Sequence, residues 1–136
     1  MLTIEAISAN LITLNTERSG MGRLTTHILD TARGCPAANV NVALYAVDGD
    51  RQLLKQDATN ADGRLDTPIL DGDDFKPGVY ELVFHAGAYF RSINLDLPDP
   101  PFVDEVVIRF GIADADSHYH VPLLVSPWAY STYRGS

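Results

Sequence analysis

From residue 21 onward the chain runs in short stretches of alternating apolar and polar residues, broken by glycine, proline and aspartate. Val40 to Val47 sets Val40, Val42, Leu44 and Ala46 on one side and Asn41, Ala43, Tyr45 and Val47 on the other, the period of two that a half-buried strand requires. Val79 to Ala86 repeats the pattern, with Tyr80, Leu82, Phe84 and Ala86 expected inward and Glu81 and His85 outward, so His85 reads as a solvated surface residue. Leu24 to Asp30 is rich in β-branched residues and stops at a turn carrying Gly34 and Pro36. Asp48-Gly49-Asp50 makes a further turn, after which Gln52 to Asp57 returns as a more polar, edge-like strand. Val103 to Phe110, His118 to Val125 and Ala129 to Gly135 complete the set, the last two joined across Ser126-Pro127. Ala88 to Leu95 is the one expected helix, and the proline cluster between Pro98 and Pro101 prevents it from continuing. Seven to eight short strands with one short helix predict an all-β fold, an antiparallel β-sandwich of two sheets.

The first twenty residues follow another pattern. Ile4, Ile7, Leu11 and Leu14 fall at steps of three and four, which would form a helical stripe, although NLITLN could equally be a strand. The polar run Glu17-Arg18-Ser19-Gly20 then precedes Met21-Gly22, so residues 1–20 are expected to be a flexible N-terminal extension and residues 21–136 the folded domain.

A length of 136 residues suits one domain with a real core, and a hydrophobic content of 46% against 21% charged is that of a globular chain. The net charge of −8 opposes binding to a phosphate backbone, which needs clustered Lys and Arg, so nucleic acid is not an expected partner. No window approaches the roughly 18 unbroken apolar residues of a membrane span, so no membrane partner is expected either. Cys35 has no second cysteine to pair with and is read as a small reduced hydrophobe. The first residues carry Glu5 and no positively charged n-region, which points to the cytoplasm.

Three of the four histidines lie inside strand-forming runs. His118 and His120 are two apart and therefore project from the same face of a strand, and His27 sits mid-strand with Leu29 on its side. A strand histidine is more often a hydrogen-bonded structural residue than a catalyst, and three of them in an acidic chain weaken that reading without reversing it. A His-x-His pair with His27 as third ligand could also hold zinc. A serine nucleophile lacks its Gly-x-Ser-x-Gly elbow. Arg64 follows the Asp62-Gly63 turn, whose glycine tolerates a positive φ, and Arg134 precedes Gly135-Ser136. Each taken alone is a surface arginine. Together, beside histidine-bearing segments, they would make a local positive pocket suited to a small anionic or carbonyl-rich substrate.

THILDTARGCPAANV from Thr26, NADGR from Asn60 and the closing HYHVPLLVSPWAYSTYRGS from His118 resemble the transthyretin-like family, and within it the enzyme branch of 5-hydroxyisourate hydrolases. The resemblance runs from about Met21 to Ser136, and the ending Tyr133-Arg134-Gly135-Ser136 separates the enzyme branch from the hormone carriers of the same fold. It implies a transthyretin-like sandwich that pairs edge to edge and assembles as a homotetramer, a dimer of dimers around a channel that holds the active sites. It implies His27, Arg64 and His120 as catalytic residues, and Tyr133, Arg134, Gly135, Ser136 and His118 as substrate-binding ones. It implies no cofactor and no metal. Family members commonly begin close to MGRLTTH, which makes Met21 an expected natural start. Cys35 and the leader of residues 1–20 are the departures from the pattern.

The implied reaction opens a ring amide of 5-hydroxyisourate to give 2-oxo-4-hydroxy-4-carboxy-5-ureidoimidazoline in urate degradation. It needs a water deprotonated as it attacks a carbonyl, for which an imidazole with an ordinary pKa of about 6.5 is suited. His27 and His120 are both candidates for that base. Arg64 would steady the charge that builds on the oxygen. The alternative is a small-ligand carrier that uses the same channel without catalysis.

Overall fold

The computed structural model describes residues 21–136 apart from Asn94; the expected extension, residues 1–20 with its Ile4, Ile7, Leu11 and Leu14 stripe, lies outside the described residues. The strands are β1 (Arg23–Asp30), β2 (Cys35–Pro36), β3 (Asn41–Asp48), β4 (Asp50–Ala58), β5 (Leu70–Asp71), β6 (Gly78–His85), β7 (Glu105–Ile112), β8 (His118–Val125) and β9 (Tyr130–Thr132), with helix α1 (Ala86–Ser92) following β6 directly. One sheet runs β4-β3-β6-β7, and the other runs β2-β1-β8-β9 with β5 also beside β1. This is the expected two-sheet sandwich. Its pairings are antiparallel save one: β1 lies parallel to β8, Thr25 opposite His120 and Arg23 opposite His118.

The core forms where the inward sides of the two sheets meet. Leu24, Ile28, Leu44, Leu82, Phe84 and Leu123 are fully buried there, each contributing roughly 1.5–3 kcal/mol relative to an exposed side chain. Alternation then sends Arg23, Thr25, His27 and Leu29 of β1, and His118, His120 and Leu124 of β8, to the opposite face of their sheet, where they are less buried.

Three expectations shift on the structure. Glu81 does face outward, yet it is buried, because Arg51 of β4 and Arg109 of β7 close over it at 3.0 and 2.8 Å. The helix runs from 86 to 92 rather than from 88 to 95, since Ala86, Tyr89 and Phe90 turn one face inward. Tyr89 donates its hydroxyl hydrogen to the buried Asp30 at 2.8 Å and accepts from Arg33 at 2.8 Å, which pins that helix to the end of β1. The last strand stops at Thr132 instead of running to Gly135. Pro122 has no N–H for the ladder, and Thr132 meets its carbonyl with a hydroxyl at 2.8 Å before the tail pairs again at Gly135 with His120. His85 is half exposed, with Nδ1 3.6 Å from a Glu105 oxygen.

Candidate active site

The outer edge of β1 is covered piecewise, and this places Arg64. β5 pairs with Arg23 and Leu24, β2 pairs with Leu29 and Asp30, and between them Arg64 bridges His27. Asn60 shapes the intervening NADGR turn: its Oδ1 accepts from the backbone N–H of Asp62 at 2.9 Å and of Arg64 at 3.2 Å, and its Nδ2 donates to Asp66 at 2.9 Å. Gly63 has φ +76°, and a Cβ there would overlap the Ile28 carbonyl, so only glycine lets the turn lie this close to β1. The turn in turn offers the Asp62 carbonyl to His27, whose Nε2–H donates to it at 2.8 Å. That bond assigns the hydrogen of a neutral His27 to Nε2 and leaves Nδ1 as the free acceptor.

Beside this turn lies a cavity of about 480 Å³, lined by Arg23, Thr25, Arg64, His118, His120 and Ser136 among others. The parallel register supplies four of these, because paired residues of parallel strands share a face. Thr25 Oγ1 lies 2.7 Å from His118 Nε2 and 2.8 Å from His120 Nδ1. The wall at Thr67 and Pro68 is held by Lys55 of β4, which donates to the Thr67 hydroxyl at 3.1 Å and to the Pro68 carbonyl at 2.9 Å.

The tail reaches the same place by a different route. His120 and Gly135 exchange two backbone hydrogen bonds, at 2.7 and 3.3 Å, and these set Ser136 at the cavity. Of the residues that the resemblance implied, His27, Tyr133, Arg134 and Gly135 are not among those lining this cavity. The Arg134 guanidinium lies 4.3 Å from the centre of the Tyr119 ring and donates to the His118 carbonyl at 3.3 Å, and Tyr133 is 62% exposed. Both border a second cleft that opens between β7 and β9. Arg23 and Thr25 take their place at the cavity. Sequence reasoning passed over both, although they stand four and two residues before His27 on one strand face, a step of two that marks them as its neighbours.

Within a chain of net charge −8, the cavity gathers Arg23 and Arg64 with Asp66 as the lone acidic side chain among its lining residues. Burial holds the His118 imidazole below its ordinary pKa, helped by the charges of Arg23 and Arg134. Burial likewise lowers His120, with Arg64, His118 and His27 adding to the effect. Both rings therefore favour the neutral form that a general base requires. Among the described residues no group of three or more His, Cys, Asp or Glu could hold a metal ion. The arrangement offers an unprotonated imidazole nitrogen, a guanidinium and room for a small polar molecule.

A family model described as the HIUase/Transthyretin family matches residues 24–135. The chain is 60% identical over 117 residues to the 5-hydroxyisourate hydrolase of Pseudomonas aeruginosa, covering 85% of this chain and 93% of that one. Among solved structures, the 5-hydroxyisourate hydrolase of Klebsiella pneumoniae superposes with a TM-score of 0.72 at 34% identity, over 85% of this chain and 100% of that one. Transthyretin from Sparus aurata superposes with a TM-score of 0.74 at 27% identity, over 83% and 96%. A shared sandwich therefore extends to proteins of both names, sequence identity being 60% and 34% toward these two hydrolases and 27% toward this transthyretin, and by its fold, its matched span and these relatives the chain belongs to the HIUase/transthyretin family.

Proposed function

We infer that this chain is a 5-hydroxyisourate hydrolase, which opens the ring amide of its substrate to 2-oxo-4-hydroxy-4-carboxy-5-ureidoimidazoline in urate degradation. The observation that carries this reading is the histidine- and arginine-lined cavity in a chain 60% identical to a hydrolase of that name. In the proposed mechanism His120 Nε2, the nitrogen not turned to Thr25, takes a proton from water as the water attacks the ring carbonyl. Arg64 steadies the oxyanion, the ring C–N bond breaks, and the departing nitrogen receives the proton from His120. The carbonyl carbon becomes the carboxylate of the product. His27 is beside Arg64 rather than in the cavity wall, and its bond to the Asp62 carbonyl gives it the part of fixing the turn that carries Arg64. His118 and Ser136 line the substrate's position, with Gly135 setting the tail. Tyr133 and Arg134 contribute to substrate binding only through the conformation of that tail. A general base contributes roughly 10²–10⁴-fold, so positioning in the cavity supplies much of the remainder.

A carrier role is supported less well, because a site walled by arginine and histidine disfavours a hydrophobic aromatic ligand. We further propose a homotetramer working in the cytoplasm. The β7 and β9 edges border one open cleft that Ile108, Phe110 and Tyr133 line, and Val107 of β7 and Tyr130 of β9 are exposed on the same two strands, which supports edge-to-edge pairing of copies. The unpaired, half-buried Cys35 suits a reducing compartment. The test of function is a urate oxidase reaction supplemented with this protein. The absorbance of 5-hydroxyisourate should decay faster with wild-type protein than with buffer, and His120→Ala and Arg64→Ala should return it close to the buffer rate. Wild-type protein no faster than buffer would sink the reading. Sedimentation equilibrium at a mass other than four chains would sink the tetramer.

A further inference from the structure

Thr25 and Thr26 are adjacent and chemically identical, yet they face opposite sides of β1. Thr26 points into the core and donates to the Val121 carbonyl at 2.6 Å, which is a structural bond. Thr25 points to the cavity, and its hydroxyl meets two imidazole nitrogens, His118 Nε2 at 2.7 Å and His120 Nδ1 at 2.8 Å. A hydroxyl has one hydrogen to give. It therefore cannot donate to both rings, and if both rings donated to it, its own hydrogen would meet no acceptor among the described residues. Among protein groups, the arrangement that satisfies all three is a chain in which one ring donates to Oγ1 and Oγ1 donates to the other.

That chain has a consequence for both rings at once. If His120 Nδ1 carries the hydrogen, His118 Nε2 accepts and His118 keeps its hydrogen on Nδ1, so both rings are Nδ1–H tautomers. If His118 Nε2 carries it, both are Nε2–H tautomers. In the first case alone is His120 Nε2 a free base. We propose that Thr25 is a positioning residue of the hydrolase: it couples His118 to His120 and holds both as Nδ1–H tautomers, so that His120 Nε2 faces the substrate unprotonated. His118 is then the acceptor at the far end of the chain, with a part in catalysis although it does not act on the substrate. The surroundings suit this role. Burial, then Arg23 on β1 and Arg134 on the tail, oppose a positive charge on His118, which has to be neutral to accept. Burial, then Arg64, His118 and His27, oppose one on His120 before a proton is taken.

The kinetic part of this proposal rests on the reading of the site as a hydrolase, whereas the tautomer part does not. In long-range ¹H–¹⁵N spectra of the full chain at neutral pH, His118 and His120 should both show the Nδ1–H pattern. In Thr25→Val, which keeps the shape and removes the hydroxyl, that pattern should be lost at both rings while His85, remote from the site, is unchanged. Turnover of 5-hydroxyisourate should fall about ten- to a hundred-fold in kcat, a part of the roughly 10²–10⁴ that a general base supplies, with KM less affected. Thr25→Ser should restore both tautomers and rate. Unlike tautomers at the two rings of the wild type, two Nε2–H rings, or a Thr25→Val protein with wild-type spectra and wild-type kcat would each overturn the proposal. If Thr25→Val does not fold, the wild-type spectrum alone decides. Absence of wild-type turnover would remove the hydrolase reading and leave the tautomer result standing by itself.

Discussion

Replacing Gly135 by alanine tests whether the tail serves the site by holding the His120 ring in place. A Cβ built on Gly135 lies 3.1 Å from Cδ2 and 3.2 Å from Cβ of His120. Carbon atoms in contact rest at about 3.5–4.0 Å, so the pair is short by roughly half an ångström. The backbone has little room to retreat, because Gly135 and His120 exchange hydrogen bonds of 2.7 and 3.3 Å. The ring can turn from the 3.1 Å contact, whereas the 3.2 Å contact to Cβ yields only as the whole His120 side chain shifts, and the imidazole is displaced with it. A displacement of about 1 Å in a catalytic site costs on the order of 10²-fold, so half of that costs about ten-fold in kcat. Stability should barely change, because Gly135 is not among the glycines held at positive φ, and alanine reduces the freedom of the unfolded chain by about 0.4–1 kcal/mol, comparable to the strain. The assay is steady-state decay of 5-hydroxyisourate beside a thermal melt of the same sample. A Gly135→Ala protein within two-fold of the wild-type kcat, or one whose rate falls only with its folded fraction, would refute this account.

Further outcomes follow from the charges. Activity should persist as the pH drops through about 6.5, the ordinary histidine value, and decline only below it, because burial and then Arg64 hold His120 lower; Arg64→Gln should move that acid limb upward while reducing kcat. The same depression makes the unfolded chain the better proton binder, so the contribution of His118 and His120 to stability is in place above about 6.5 and is lost as the pH falls through their lowered folded values. Tyr89→Phe should cost about 1.5–3 kcal/mol, the value of a hydrogen bond to a charged group, seen as a drop of roughly 5–15 °C in Tm. Burial pushes the Asp30 carboxyl up, but the hydrogen bonds from Tyr89 and from the backbone and side chain of Arg33 outweigh it and leave its pKa lowered. That stabilisation is present above the unfolded carboxylate range of about 4 and is lost as the pH falls through the folded value, so the gap between variant and wild type should narrow in acid. An unchanged gap at low pH would show that Asp30 is not the partner that matters.

Alternation along Val40–Val47 and Val79–Ala86 and the punctuation by Gly34, Asp62-Gly63 and Pro98–Pro101 were enough to predict a two-sheet sandwich with one short helix, because the side-chain period of a strand and the backbone limits of glycine and proline act within a few residues. The same local rule placed His118 and His120 on one face, and the quoted segments placed His27 and Arg64 in one family pattern. Pairing between distant segments was beyond that rule. The parallel register of β1 on β8 joins positions more than ninety residues apart, and nothing in either strand states that Thr25 lies opposite His120. That register made Thr25 and Arg23 part of the site. The tail keeps the β8 register up to Gly135 opposite His120, so alternation sets Arg134 over Tyr119, away from the cavity where the sequence pattern had put it. Composition, period and motif thus determined which faces and residue types meet water or core. Which residues face one another across the site was decided by non-local hydrogen bonding, which only the folded chain contains.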